Sequence, residues 1–374
     1  MNVTTLKRFE FSAGRQWADG RWDGSNYVGW AGVTGPVDAT TGMVVNVTDL
    51  KHWLNAALEG FDHRTLTNEP THLNVARALR QAVKNELPPG LSLAALELHE
   101  WEGDGAVLTP DSEAHILTFG FSAAHRTHAP HLSTAENARL YGRCNNPAGH
   151  GHNYRVEISL PVHCTPDPAL WRPVWEQLDH RNLSQDVPEF TGRNVVTEAI
   201  AQYIAERLPE AERVRVWETA DFFAEYVPAA DLYRLGRRYR FNAAHRLHSP
   251  QLSDEANRRL YGKCNRPEPH GHNYRVEVVV QGSLDARTET AYDLGCLDFE
   301  VSQVLGELDR VYLDQAVPEF WQTPSTGENI AAYLHRKLMQ RLGRSLAEVR
   351  LWETPNNQFV ARGVGLSGTH SLFD

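Results

Sequence analysis

FSAAHRTHAPHLSTAENARLYGRCNNPAGHGHNYRVE, residues 121–157, decides the fold, because it returns as FNAAHRLHSPQLSDEANRRLYGKCNRPEPHGHNYRVE at 241–277. The offset is a constant 120, and 25 of the 37 positions are identical. Agreement of that kind at a fixed period is an internal duplication. It continues through LDHRNL (178–183) against LDRVYL (308–313) and VPEF (187–190) against VPEF (317–320), and ends on VWET (216–219) against LWET (351–354).

A third, worn copy stands in front. FEFSAGR (9–15) aligns with FGFSAAH (119–125), FDHRTL (61–66) with LDHRNL, and LHEW (98–101) with VWET. This copy keeps the frame and lacks the middle loop. Turn-prone stretches TPDSE (109–113) and PAAD (228–231) place the joints, giving domains 1–110, 111–230 and 231–374. Each reads as two strands, a helical insertion and two strands. ILTFGFS (116–122), NYRVEISLPV (153–162) and NYRVEVVVQG (273–282) are β-branched and aromatic with period-two character, and NYVGWAGVTG (26–35) echoes them. DLKHWLNAALEGF (49–61) has helical spacing, with Leu50, Trp53, Leu54, Ala57, Leu58 and Phe61 on one face, and NIAAYLHRKLMQRLG (329–343) reads likewise. The class is α+β: a mainly antiparallel sheet carrying helices on one face.

At 374 residues, 41% hydrophobic and 22% charged, the composition is that of a soluble globular protein. No run approaches the length of a membrane helix, and MNVTTLKRFEF lacks the apolar stretch of a signal peptide, so the expected address is cytoplasmic. Four cysteines are too few for a disulfide scaffold, and a net charge of -10 argues against general nucleic-acid binding.

Histidines at i and i+2 on a strand share a face, so His150 with His152, and His270 with His272, are suited to hold one ion. His125 and His245, ending the preceding strand, supply the third ligand. Three imidazoles with an open fourth position is the arrangement of catalytic zinc. Cys144 and Cys264, six residues before each pair, are either ligands themselves or bases whose thiol is acidified nearby. Cys164 and Cys296 recur in no other copy and read as packing residues. Asp62-His63 and Asp179-His180 follow helices and read as carboxylate-oriented imidazoles for proton transfer. Glu218 and Glu353 sit in terminal strands, where a buried carboxylate takes two hydrogen bonds from an amidine-like group, and Glu100 is their counterpart in the first copy. Glu198 and Glu328 open helices as candidate substrate-binding groups, although Ser325-Thr326-Gly327-Glu328 also satisfies a capping-box pattern.

FNAAHRLHSPQLSDEANRRLYGKCN (241–265), CNNPAGHGHNYRVE (144–157) and TTGMVVNVTDLKHWL (40–54) closely resemble 6-pyruvoyl-tetrahydropterin synthases. The resemblance implies a tunnelling fold: four-stranded antiparallel modules with two helices each, three modules closing a twelve-stranded barrel. Here one chain makes a ring, and a homodimer of stacked rings is the expected particle. It further implies zinc on the three histidines binding the side-chain oxygens of dihydroneopterin triphosphate. The cysteine would remove a carbon-bound proton, an Asp-His pair would shuttle protons as triphosphate leaves, and a glutamate would anchor the pterin. The family also contains the 6-carboxy-tetrahydropterin synthases of queuosine and deazapurine biosynthesis, which usually have a shorter Cys-to-HxH spacing. A degenerate, non-catalytic pterin-binding protein is the reading from another class.

The copies depart from that pattern. The first has Arg15 in place of a zinc histidine, no HxH, no cysteine, and Leu73 at the position of Glu198. The third has Arg310 in place of the pair's histidine. In the family each cysteine takes its Asp-His pair from a neighbour. If that neighbour is the preceding module, Cys144 works with His63 and Cys264 with His180, giving two active sites and one dead one. Arg126, Arg143, Arg246 and Lys263 are candidate triphosphate contacts, with solvated loop charge as the alternative.

Overall fold

A computed structural model of the protein describes residues 1–101 and 103–363. Three repeats follow one another. The first comprises β1 (Asn2–Gln16), β2 (Trp22–Pro36), α1 (Val47–Leu58), β3 (Arg64–Leu66), α2 (His72–Glu86), β4 (Leu93–Glu100) and β5 (Gly105–Leu108). The second comprises β6 (Glu113–His125), α3 (Thr134–Tyr141), β7 (His150–Pro161), α4 (Pro168–Leu178), β8 (Arg181–Asn182), α5 (Leu183–Asp186), α6 (Thr197–Arg207), β9 (Arg213–Thr219) and β10 (Phe222–Val227). The third comprises β11 (Leu232–His245), α7 (Asp254–Tyr261), β12 (His270–Gly282), α8 (Leu294–Gly306), β13 (Val311–Tyr312), α9 (Leu313–Ala316), α10 (Gly327–Leu342), β14 (Leu346–Thr354) and β15 (Asn357–Arg362).

The chain forms two compact units. Among the described residues, one holds 1–101, 103–113, 238–278 and 299–363; the other holds 114–237 and 279–298. In the first unit the strand order is β5-β4-β2-β1-β15-β14-β12-β11, with β3 added in parallel to β1 and β13 in parallel to β11. In the second, β6, β7, β9 and β10 lie side by side, and β10 pairs with residues 232–237. The register of β6 and β7 sets His125 opposite His150 and Ala123 opposite His152. Period-two alternation then puts all three imidazoles on one face.

The alternation read in RVRVWET has a physical counterpart. Val214 and Val216 enter the core beneath α6, while Arg213 and Arg215 on the opposite face pair with Glu157 and Glu225. A guanidinium removed from water costs several kcal/mol unless it is paired, and each of these meets at least one buried carboxylate. In α1, Asn46 caps the first turn through Thr48 N, and Leu50, Leu54, Ala57 and Leu58 are buried against β1, β2 and α2. Trp53 and Phe61 pack at the edge of the same core. The capping box expected at Ser325–Glu328 does not form. Thr326 is the cap and accepts from Asn329 N, while the Glu328 carboxyl turns inward to Thr5 Oγ1 and Val44 N. None of the described helices is long and apolar enough to cross a membrane.

Candidate active sites

Two clusters of three histidines, His125–His150–His152 and His245–His270–His272, bring one ligand atom from each ring within 4.8 Å of the others. The rings are aimed from behind. His125 Nδ1 donates to the Val195 carbonyl at 2.7 Å and His245 Nδ1 to that of Ser325 at 2.9 Å, so each Nε2 carries a free lone pair. Nε2 of His125, His152, His245 and His272 is buried without a hydrogen-bond partner, as is Nδ1 of His150. Convergent, buried, unsatisfied imidazole nitrogens are what a zinc ion satisfies. Burial lowers the pKa of His125, His150, His245, His270 and His272, which favours the neutral, ligating form.

The cysteines lie beside these clusters and outside the set of ligand atoms that converge. Each sits in a short helical turn entered through a glycine, Gly142 or Gly262, with φ of 50° or 54°. That left-handed step ends α3 or α7 and turns the chain back toward the histidines. Asn137 and Asn257, fully buried, brace the preceding loop: Oδ1 accepts from Ala129 N and Ser249 N respectively. Arg126 and Arg246 donate to the carbonyls of Asn145 and Asn265, so their Nε atoms hold the cysteine turn. Burial raises both thiol pKa values, and the carboxylates of Glu218 and Glu353 add to that.

Glu218 closes the second repeat's cluster, its Oε1 3.6 Å from His152 Nε2, and Glu353 stands 3.6 Å from His245 Nε2. In the second unit a cavity of about 570 Å³ opens on Cys144, Thr197, Glu198, Glu218, Phe222 and Tyr292. Its far wall is the loop 285–295, which the sequence pattern did not single out. Tyr141 Oη donates to Thr288 O, and Glu198 accepts from Ala291 N. The first repeat supplies the equivalent loop at the Cys264 site: Tyr261 Oη donates to Thr41 O, and Glu328 accepts from Val44 N. Asp285 and Asp38 build the same turn in the two loops, each accepting from a threonine amide and hydroxyl. Burial pushes Glu198 and Glu328 up to about 7.

Neither Asp-His pair lines the Cys144 cavity. Asp62 and Asp179 fix the strand amides of Ser12 and Ser122 and pair with their own histidines, at 3.0 Å and 2.6 Å. His63, His180 and Arg310 share a positive φ of 54°, 55° and 60°, which non-glycine residues adopt at a cost, and their side chains are 82–85% exposed. Cys164 packs partly against the core, as expected, whereas Cys296 is exposed. Cys164 also gathers with His163 and Glu210 into a third, more exposed donor group.

The first repeat shows what replaced its site. Register sets Arg15 opposite Asp23 and Ala13 opposite Ser25, so Arg15, Asp23 and Ser25 stand where the second repeat has His125, His150 and His152. The Arg15 guanidinium donates to Asp23 at 2.6 Å and to both oxygens of Glu100, and His72 Nε2 meets Glu100 at 2.9 Å. Those contacts, the His72 hydrogen bond foremost, hold Glu100 down to about 2. An internal ion-pair cluster thus stands where the other repeats have their three histidines.

The 6-pyruvoyl tetrahydropterin synthase family model matches residues 5–111, 116–229 and 234–364. The chain belongs to this family. Among its relatives, the 6-pyruvoyl tetrahydrobiopterin synthase of Poecilia reticulata is 44% identical over 138 residues, 36% of this chain and 94% of that protein. The human 6-pyruvoyl tetrahydrobiopterin synthase is 42% identical over 132 residues, 35% of this chain and 91% of that one. The solved structure of the Caenorhabditis elegans 6-pyruvoyl tetrahydropterin synthase has 41% identity, covers 35% of this chain and 96% of its own, and gives a TM-score of 0.35. Each such relative thus corresponds to about one repeat of the three.

Proposed function

We propose that the protein is a zinc-dependent 6-pyruvoyl-tetrahydropterin synthase that eliminates triphosphate from 7,8-dihydroneopterin triphosphate at two sites per chain. The observation that carries this reading is the assembly, twice over, of three converging imidazoles, five of the six with an unsatisfied buried nitrogen, beside a cysteine and a carboxylate, in a chain of this family. His125, His150 and His152 hold one zinc, and His245, His270 and His272 the other. Lewis-acid polarisation of side-chain oxygens, which makes the adjacent C–H bonds more acidic, is the chemistry a bound zinc supplies there.

The chain's own groups do the rest. Glu218 presents carboxylate oxygens to the amino and ring N–H groups of the pterin, with the Thr197 hydroxyl already donating to Oε2. Glu353 has the same part in the third repeat. Glu198 and Glu328 shape the cavity floor by holding the neighbouring loop. The thiol of Cys144 or Cys264, as thiolate, takes the carbon-bound proton, and the C–O bond to triphosphate breaks as its electrons leave with the phosphate. Return of protons falls to Asp62-His63 and Asp179-His180. Neither pair lines the Cys144 cavity, so the pair that serves Cys144 comes from outside that cavity's own walls.

The test is incubation of the zinc-loaded protein with dihydroneopterin triphosphate, with products identified by mass. Pyruvoyl-tetrahydropterin and free triphosphate are expected. A 6-carboxy product with acetaldehyde overturns the pyruvoyl assignment, and unchanged substrate overturns the enzymatic one.

A further inference from the structure

The two anchoring carboxylates are alike in position and differ in what holds them. In the second repeat the Thr197 hydroxyl donates to Glu218. The third repeat has Gly327 at that position, and a Cβ there would lie 2.0 Å from the ring of Phe359. Register explains the conflict: Phe359 stands opposite Leu351, as the small Ala224 stands opposite Val216. The larger core residue has therefore excluded the threonine, and with it the hydroxyl donor.

A replacement donor comes from the opposite side. Asn357 lies opposite Thr354, where the second repeat has Phe222 opposite Thr219. From there the Asn357 side chain reaches toward the Glu353 carboxylate and favours its charged form. An amide can turn either its oxygen or its nitrogen toward a carboxylate, and only the nitrogen is useful. Lys7 settles the choice. Paired with Asn357 across β1 and β15, it donates its ammonium to Asn357 Oδ1 at 2.6 Å, so that the NH₂ must face Glu353. The corresponding cation of the second repeat, Arg237, which pairs with Phe222, is drawn to Asp298 at 3.0 Å instead.

We propose that Lys7, on the first strand of the repeat without metal ligands, is a positioning residue of the Cys264 site, orienting Asn357 so that its amide holds the Glu353 carboxylate for the ring of the substrate. The Cys144 site has no such dependence, because Thr197 supplies the donor from its own repeat. The first repeat thus contributes a working residue to a neighbour's site although its own site is filled by an ion pair. The inference rests on the assignment of Glu353 as ring anchor.

Single-site chains make it testable. In zinc-loaded Cys144→Ala protein, where the Cys264 site alone turns over, Lys7→Met is expected to raise KM for dihydroneopterin triphosphate about tenfold, as loss of an oriented hydrogen bond to a charged group does, with kcat within about twofold. Lys7→Arg is expected to restore most of it. In the Cys264→Ala background Lys7→Met is expected to change neither constant. Binding of dihydroneopterin, followed by its fluorescence, separates the two ways of failing. Equal binding with and without Lys7, or an equal loss at both sites, overturns the role of Lys7. No binding at either site overturns the ring-anchor assignment itself and the inference with it.

Discussion

His152 Nε2 lies 3.6 Å from Glu218 Oε1, which joins the histidine cluster and the proposed ring-anchoring carboxylate in one site. Replacing Glu218 by Gln keeps the shape and swaps one acceptor oxygen for a donor facing the ring N–H groups. In a Cys264→Ala chain, Glu218→Gln is expected to lower kcat/KM about a hundredfold, the scale of two charge-assisted hydrogen bonds, with zinc content unchanged. Steady-state kinetics with metal analysis checks both halves.

The metal count follows from the triads. The protein is expected to hold two zinc ions per chain, His150→Ala one, and the His150→Ala/His270→Ala double variant none. Ligation requires neutral imidazole, and burial lowers the pKa of five of the six rings. The neutral form therefore persists below the ordinary value, and half-release of zinc on acidification is expected below about pH 6.5. Metal analysis after dialysis across a pH series measures it.

Much of this site was legible because residues 121–157 and 241–277 differ by a constant 120, so that every histidine of the triads and both cysteines could be matched by counting. Glu218 and Glu353, 135 apart, are matched instead by the shared WET of VWET and LWET. Asp23 and Ser25 could not, because the segment between the first two strands is far shorter in the first repeat, and only strand register restores the correspondence. The loop 285–295 and its equivalent at 38–46 share little beyond an aspartate, an alanine and a threonine, and their role as walls depends on long-range packing. Whether the cysteines ligate the metal was open from spacing, and the convergent atoms place them outside the cluster.

The ion-pair cluster of the first repeat carries its own expectation. Arg15→Met leaves Asp23 and Glu100 facing each other without their shared cation. A destabilisation of about 2 kcal/mol is expected by chemical denaturation, less than for a fully buried pair because both carboxylates keep some solvent. Zinc content should stay at two. Arg15→His should not create a third metal site, since Asp23 and Ser25 remain in place of the other two histidines.

Buried Glu198 titrates near 7, against an ordinary 4.5. A carboxyl whose folded pKa is raised favours folding in its protonated form, so its ionisation costs stability as pH rises from about 4.5 through about 7. Glu198→Gln removes that cost. It is expected to be more stable than the parent at pH 8 by about 2 kcal/mol, and no more stable at pH 5.

The exposed pairs His63 and His180 are separable by the same single-cysteine chains. His63→Ala is expected to silence one site and spare the other, with His180→Ala showing the reverse pattern. Loss at both sites from either change would show that one pair serves both cysteines.

The central claim is that each histidine triad works with its own cysteine as a complete lyase site. The most direct measurement is triphosphate release by zinc-loaded Cys144→Ala, Cys264→Ala and the double variant, each with its metal content. Two zinc ions in all three, partial activity in each single variant and none in the double is the predicted result; triphosphate release by the double variant would contradict the account.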